Sequence, residues 1–181
     1  LKNYCGYMPQ HDLLFPWRTV RENVMLPMEI QGGYTKAEML ERADEALASV
    51  GLSDWGKKSP RELSGGMRQR AAFARTVLTG SDLLLLDEPF SALDYQTRLT
   101  VADDIYQIIK KEHKTAILVT HDLSEAVSMA DWVLILSKRP ATVLKEVETT
   151  FEMEQRTPMK ARNMAGFKEY FNEIWEVLQC Q

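Results

Sequence analysis

The sequence is poor in the residues that would make it anything other than an ordinary folded domain. It holds two cysteines, nine glycines and seven prolines in 181 residues, too few for a disulfide-stapled, collagen-like or low-complexity chain. The longest uninterrupted apolar run, Trp132–Leu136, is five residues, whereas a membrane-spanning helix needs about 20. No charged-then-apolar secretory leader opens the chain. A basic excess is missing too: 22 Lys and Arg stand against 26 Asp and Glu, a net charge of −4, which argues against a sequence-independent nucleic-acid binder. The three histidines (His11, His113, His121) and the two cysteines (Cys5, Cys180) show no metal-ligand spacing. The cysteines, at opposite ends, are expected to be free thiols. What is present, 45% apolar and 27% charged residues, fits a single globular domain with ample material for a core.

Local signals order the chain. Tyr4–Met8 reads as a strand running into a loop at Pro9. Thr19 with Glu22, and Thr35 with Glu38, have capping-box form. They predict one helix from Thr19 to about Pro27 and a second ending near Gly51. Ser64–Thr79 reads as a helix closed by Gly80, and Leu83–Leu86 as a strand buried on both faces. A helix over about 96–114, a buried strand Thr115–Thr120, a short helix Asp122–Ala130 and a strand Trp132–Ser137 follow. This alternation implies right-handed crossovers and a parallel sheet. Thr142–Glu148 is an edge-strand candidate and Thr149–Pro158 a linker. At the end, Phe167, Tyr170, Phe171, Ile174, Trp175 and Leu178 make an amphipathic stripe. That stripe suits either packing on the core or binding a partner. The expected organisation is therefore a helical section over about 12–80, a core sheet over 81–148, and a linker and terminal helix over 149–181.

In parallel sheets, polar residues at the carboxyl ends of strands line the ligand crevice. Leu83-Leu84-Leu85-Leu86 ends in Asp87-Glu88; adjacent strand residues point in different directions, so the two carboxylates can serve two purposes. Asp87 suits a magnesium ion, directly or through water, and Glu88 suits orienting or deprotonating a water. Leu63-Ser64-Gly65-Gly66-Met67-Arg68-Gln69 opens a helix, and free amides at such a start make an anion site suited to phosphate. Thr120-His121-Asp122 closes another strand, with His121 placed to touch a phosphate or hold a water. Gln10 follows the first strand, and its neutral amide suits a metal, a water or a phosphate. Asp94, in Ser91-Ala92-Leu93-Asp94, is a candidate helix cap.

In this order and spacing the set resembles the nucleotide-binding subunit of ATP-binding-cassette (ABC) transporters. The resemblance rests on Gln10 (glutamine loop), Leu63–Gln69 (the LSGG-x-x-Q signature), Leu83–Glu88 (Walker B plus glutamate), Ser91–Asp94 (D-loop) and His121 (switch histidine), and covers the chain to about residue 140. The wording Leu13-Leu14-Phe15-Pro16-Trp17, Thr19-Val20 and Glu22-Asn23-Val24 looks like the importers of nitrate, sulfonate, taurine and related small solutes. The family implies a partial P-loop NTPase-type α/β fold, a mainly parallel sheet flanked by helices with an inserted helical subdomain. It also implies a head-to-tail dimer at the cytoplasmic face of the membrane, with ATP and Mg²⁺ as cofactors. In that dimer Ser64, Gly65, Gly66 and Gln69 of one copy serve the ATP held by the other. Glu88 activates water, His121 contacts the γ-phosphate, Asp87 and Gln10 serve the Mg²⁺ sphere, and Asp94 signals across the interface. Loops after Gln10, with Phe15, Pro16 and Trp17 as candidates, would receive transmembrane permease subunits, which in turn work with a solute-binding protein.

One departure is large. The family's phosphate loop, G-x-x-x-x-G-K-[S/T], has no counterpart, since Gly56-Lys57-Lys58-Ser59 lacks the pattern and stands in the wrong place. The chain opens at Leu1 rather than Met and is expected to be a piece of something longer. By itself it should bind ATP weakly, show negligible ATPase activity, expose apolar faces beside its middle strands and self-associate. Two other readings are a short non-hydrolysing partner that supplies the signature surface to a complete subunit, and a soluble ABC ATPase of repair or translation.

Overall fold

Thr19 and Thr35 open the first two helices alike. Each hydroxyl accepts the backbone N–H three residues on at 3.2 Å, and Glu22 and Glu38 return a carboxylate to the Thr19 and Thr35 N–H groups at 2.7 Å. The exchange satisfies donors that a helix start leaves orphaned. It launches α1 (Val20–Gln31) and α2 (Lys36–Ser49). Helix α1 runs four residues beyond the expected stop at Pro27, because Val20, Val24, Met25 and Met28 form one buried stripe. Burying that stripe outweighs the hydrogen bond that a proline forfeits inside a helix.

The computed structural model describes residues 4–153 and 156–179 and divides into two compact units, Leu1–Val119 and Thr120–Gln181. The division falls inside the stretch 81–148 expected as one core sheet. In the first unit the order is β1 (Cys5–Met8), α1, α2, α3 (Gly65–Val77), β2 (Leu83–Asp87), α4 (Tyr95–Lys111) and β3 (Thr115–Val119). The strands form a parallel sheet in the order β1-β2-β3, with Tyr7 beside Leu85 and Leu85 beside Ile117. Helices connect the strands, as parallel pairing demands. Gly6 lets the end of α3 lie against β1: a Cβ there would sit 2.8 Å from Thr79 Oγ1 and 3.0 Å from the Thr76 carbonyl.

Two strands are less buried than their apolar runs suggest, and apolar faces beside them are open, as expected of this chain by itself. In β2, Leu84 and Leu86 are fully buried while Leu83 and Leu85 are half-buried, and in β3 Leu118 is half-buried and the other four residues are exposed. An apolar run becomes buried on both faces only where helices cover both faces. Here the first unit's core, with Met8, Val24, Phe73, Leu84, Leu86, Phe90, Val101 and Ile105, is gathered on one side of the sheet.

The second unit holds α5 (Leu123–Met129), β4 (Trp132–Leu136), β5 (Val143–Glu148), α6 (Pro158–Ala161) and α7 (Ala165–Gln179). The sequence placed β4 in the parallel series; instead it pairs antiparallel with β5, Val133 beside Val147. The connection between them is residues 137–142, and a link that short permits a hairpin but no parallel crossover. Val127, Val133, Ile135, Val147 and Ile174 form this unit's core, with Phe167, Tyr170 and Leu178 packed against it. The stripe of α7 is thus a packing face, although Trp175 stays exposed. Within the stretch expected as a linker, the Arg156 guanidinium donates to the carbonyls of Val127, Ser128, Ala130 and Thr149 and pairs with Asp131 at 3.1 Å. A cation there answers the orphaned carbonyls at the end of α5. Cys5 is an exposed free thiol, and Cys180 lies outside the described residues. No helix among the described residues is long and apolar enough to cross a membrane.

Candidate functional site

The acidic pair stands where β2 leaves the sheet. Asp87, its last residue, is in register with Val119, and the Glu88 N–H donates to the Val119 carbonyl at 2.8 Å. The backbone then turns sharply, with φ of 43° at Glu88, a left-handed conformation that non-glycine residues seldom adopt. Such strain persists where surrounding structure holds it, often at functional sites. Here the Glu88 carbonyl accepts both the Ser91 N–H at 3.2 Å and the Ser91 hydroxyl at 3.0 Å.

One carboxylate is held from β1 and the other from the loop that follows it. The Tyr7 hydroxyl donates to Asp87 Oδ2 at 3.0 Å, and that bond, with burial and the Asp87 charge, pushes the phenol above its ordinary pKa. The Gln10 amide Nε2 donates to Glu88 Oε2 at 3.1 Å and to Ser91 Oγ at 3.2 Å. Gln10, Asp87 and Glu88, singled out from the sequence, are therefore together. Tyr7 was missed; its signal is a register two residues short of Asp87 on the same face of neighbouring strands.

Ser64 is exposed and caps α3, its hydroxyl accepting the Met67 N–H at 3.3 Å. The two glycines behind it differ. A Cβ on Gly65 would meet only Leu93 at 3.5 Å or more distant atoms, whereas one on Gly66 would lie 2.4 Å from Thr97 Cγ2. Gly65 is open; Gly66 is required by the crossing of α3 on α4. Gln69 is buried, and its Nε2 donates to the Gln10 carbonyl at 3.3 Å. Asp94 is exposed and caps α4, its carboxylate accepting the Thr97 N–H at 3.1 Å, and hydrogen bonds from the Thr97 hydroxyl and then its N–H hold the Asp94 pKa below the usual value.

A brace unseen in the sequence joins α3 to the loop after Gln10. Arg75 donates to the carbonyls of Asp12 at 2.6 Å and Leu13 at 2.8 Å, and Arg68 pairs with Asp12 at 3.1 Å. Burial pulls the Arg75 pKa down, opposed by the Asp12 charge. The available signal was two arginines seven positions apart, hence on one helix face. His121 belongs to the second unit, exposed in the turn before α5.

The donors around Asp87 are oxygens, the chemistry of a hard divalent cation. Among the described residues no group of three or more His, Cys, Asp or Glu is arranged to hold a metal. One or two carboxylates are what a Mg²⁺ that keeps most of its waters takes from a protein, and the residues present fit that ion.

The family model described as ABC transporter matches residues 1–91. The chain belongs to the ABC transporter family. It is 45% identical over 173 residues to an uncharacterized ABC transporter ATP-binding protein, YtlC, of Bacillus subtilis, covering 96% of this chain and 66% of that one. It is 38% identical over 178 residues to the nitrate import ATP-binding protein NrtD of Synechocystis, with the same coverage of 96% and 66%. To the formylaminopyrimidine import ATP-binding protein ThiZ of Halalkalibacterium halodurans it is 45% identical over 161 residues, covering 83% and 64%. The chain thus spans about two thirds of the length of the curated relatives it matches. A dimeric post-hydrolysis structure of the ATP-binding cassette MJ0796, bound to ADP and Pi, matches with a TM-score of 0.69 at 29% identity, covering 83% of this chain and 65% of that one. The fold is that of the ABC ATPase cassettes, the α/β P-loop NTPase type expected from the sequence.

Proposed function

We propose that the chain is the greater part of the ATP-binding and ATP-hydrolysing subunit of an importer of a small organic or inorganic solute. The observation that carries this is the contact of Gln10 with Glu88 beside Asp87 at one strand end, in a chain whose relatives include named import ATP-binding proteins. Bound Mg-ATP would supply the polarised γ-phosphate that hydrolysis attacks. Asp87, with Gln10, serves the ion's water shell. Glu88 orients and deprotonates the attacking water, within the range of 10²–10⁴-fold that a positioned base contributes. Ser64 and Gly65 present free helix-start amides to the triphosphate held by a second copy, with Gly66 and Gln69 shaping that turn. His121 contacts the γ-phosphate, and Asp94 reports across the interface. The exposed Trp17, stacked on Phe15 with ring centroids 4.9 Å apart, and Pro16 form the surface offered to the permease subunits, which connect to a solute-binding protein. The assembly works at the cytoplasmic face of the membrane as a peripheral subunit.

The division into a helical section (12–80), core sheet (81–148) and terminal segment (149–181) serves the same reading: the signature is carried on the helical section and the acidic pair on the sheet. The 181 residues alone have negligible ATPase activity, because no backbone cradle and lysine grip the β- and γ-phosphates. The test is steady-state hydrolysis at saturating Mg-ATP, by the chain and by a fusion that adds a segment carrying a G-x-x-x-x-G-K-[S/T] phosphate loop. The chain gives no turnover above its Glu88→Gln variant. The fusion turns over and loses at least about 100-fold on Glu88→Gln. Turnover by the chain alone that Glu88→Gln abolishes, or a fusion indifferent to Glu88→Gln, overturns the proposal.

A further inference from the structure

The turn between β3 and α5 is closed by a ring of three hydrogen bonds. The Thr120 hydroxyl donates to Glu125 Oε2 at 2.7 Å and accepts the Asp122 N–H at 3.0 Å. The Asp122 carboxylate accepts the Glu125 N–H at 3.2 Å, and the Ser124 N–H at 2.8 Å besides. A hydroxyl that donates once and accepts once has its rotamer fixed, and with it the backbone from 120 to 122. The residue enclosed is His121, exposed, whose Cα–Cβ direction that backbone sets.

Glu125 is 3% exposed. Burying a carboxyl group costs free energy that an apolar residue of similar size would not incur. Helix capping does not require it, since Asp122 alone supplies the cap to α5. Glu125 does supply the acceptor that orients Thr120. The ring acts on the backbone that carries His121, and that backbone decides which χ1 rotamers are open to the imidazole.

We infer that Glu125, acting through Thr120, is a positioning residue for His121. The inference deepens the reading of His121 as a γ-phosphate contact and rests on it for its purpose; its physical content stands without nucleotide. The test is nuclear magnetic resonance of the full 181-residue chain with no ATP present, the His121 signals being assigned by comparison with His121→Asn. In the unmodified chain, three-bond couplings show one χ1 rotamer for His121. Thr120→Val, which keeps the shape and removes the hydroxyl, and Glu125→Ala, which removes the acceptor, both lose it to rotamer averaging. Thr120→Ser restores the single rotamer, while the methyl signals of Val127, Val133 and Ile135 report that the unit stays folded. Rotamer averaging in the unmodified chain, or one rotamer surviving in folded Thr120→Val, overturns the inference. Where Thr120→Val does not fold, the unmodified chain and Thr120→Ser decide, both having to show one rotamer. Failure here leaves the hydrolysis test untouched, and failure there leaves the ring and its effect on His121 standing.

Discussion

The two faces of the β1-β2-β3 sheet are made by the same strands and have opposite fates. On one, Met8, Leu84 and Leu86 are 0%, 0% and 1% exposed; on the other, Tyr7, Ile117 and Val119 are 55%, 52% and 55% exposed. The acidic pair sits where these faces end, with Tyr7 reaching Asp87 along the open one. Adhesion and chemistry are divided by the two-residue period of the strand. One face carries the stability, while the other keeps the carboxylates and their holders within reach of a ligand.

The sharpest way to break that contrast is to truncate equivalent side chains on each face. Leu84→Ala should cost about 3 kcal/mol, in line with fully buried leucines elsewhere, and Ile117→Ala less than about 1 kcal/mol; urea unfolding of the chain measures both. Equal losses would mean that the open face is as well packed as the closed one. Next is Gly6→Ala on the covered face, whose new methyl meets the Thr76 carbonyl and Thr79 hydroxyl at 3.0 and 2.8 Å. Overpacking of that kind costs about 1–3 kcal/mol, so the urea midpoint should fall clearly.

On the open face the effects move from stability to association. Ile117→Lys combined with Val119→Lys should shift the chain toward monomer in sedimentation at rising concentration, because exposed apolar strands at a sheet edge invite pairing and charge blocks it. An unchanged oligomer distribution would place self-association elsewhere. The smallest expected effect is on Tyr7. Its phenol is raised above the ordinary value of about 10 by Asp87, so the contact's contribution is complete below that value and is lost as pH climbs through the raised one. Absorbance titration should show Asp87→Asn returning Tyr7 toward an ordinary phenol; no change would detach the pair.

What was legible in the sequence is what short range decides. Thr19 with Glu22, Thr35 with Glu38, and Asp122 before α5 mark helix starts because a cap and its partner lie within one turn. The leucine run ending in Asp87-Glu88 placed the acidic pair at a strand end, and Gln10 was found beside it. What long range decides was not legible. Nothing in Trp132–Leu136 says that its partner lies across residues 137–142 rather than in the parallel series, and an apolar run does not reveal whether one face or two will be covered. Pro27 was read as a stop because its local cost is visible and the stripe it interrupts is not. That Gly66 lies against Thr97 of α4, 2.4 Å from where a Cβ would sit, could not be read from the sequence either. Arg68 and Arg75 could be placed on one helix face, but not the backbone of Asp12 and Leu13 that Arg75 holds, 62 or more positions away.

The central claim is that Ser64 and Glu88 act on the same nucleotide from different copies of the chain. Complementation in the fusion carrying a phosphate loop tests this most directly. Glu88→Gln and Ser64→Arg fusions are each assayed for ATPase activity alone and then mixed. Each alone should be nearly silent, and the mixture should recover a substantial fraction of the parent rate, since half of its dimers pair one intact glutamate with one intact signature turn. A mixture as silent as its two components would show that the signature turn and the acidic pair do not meet across a dimer, and would contradict the account.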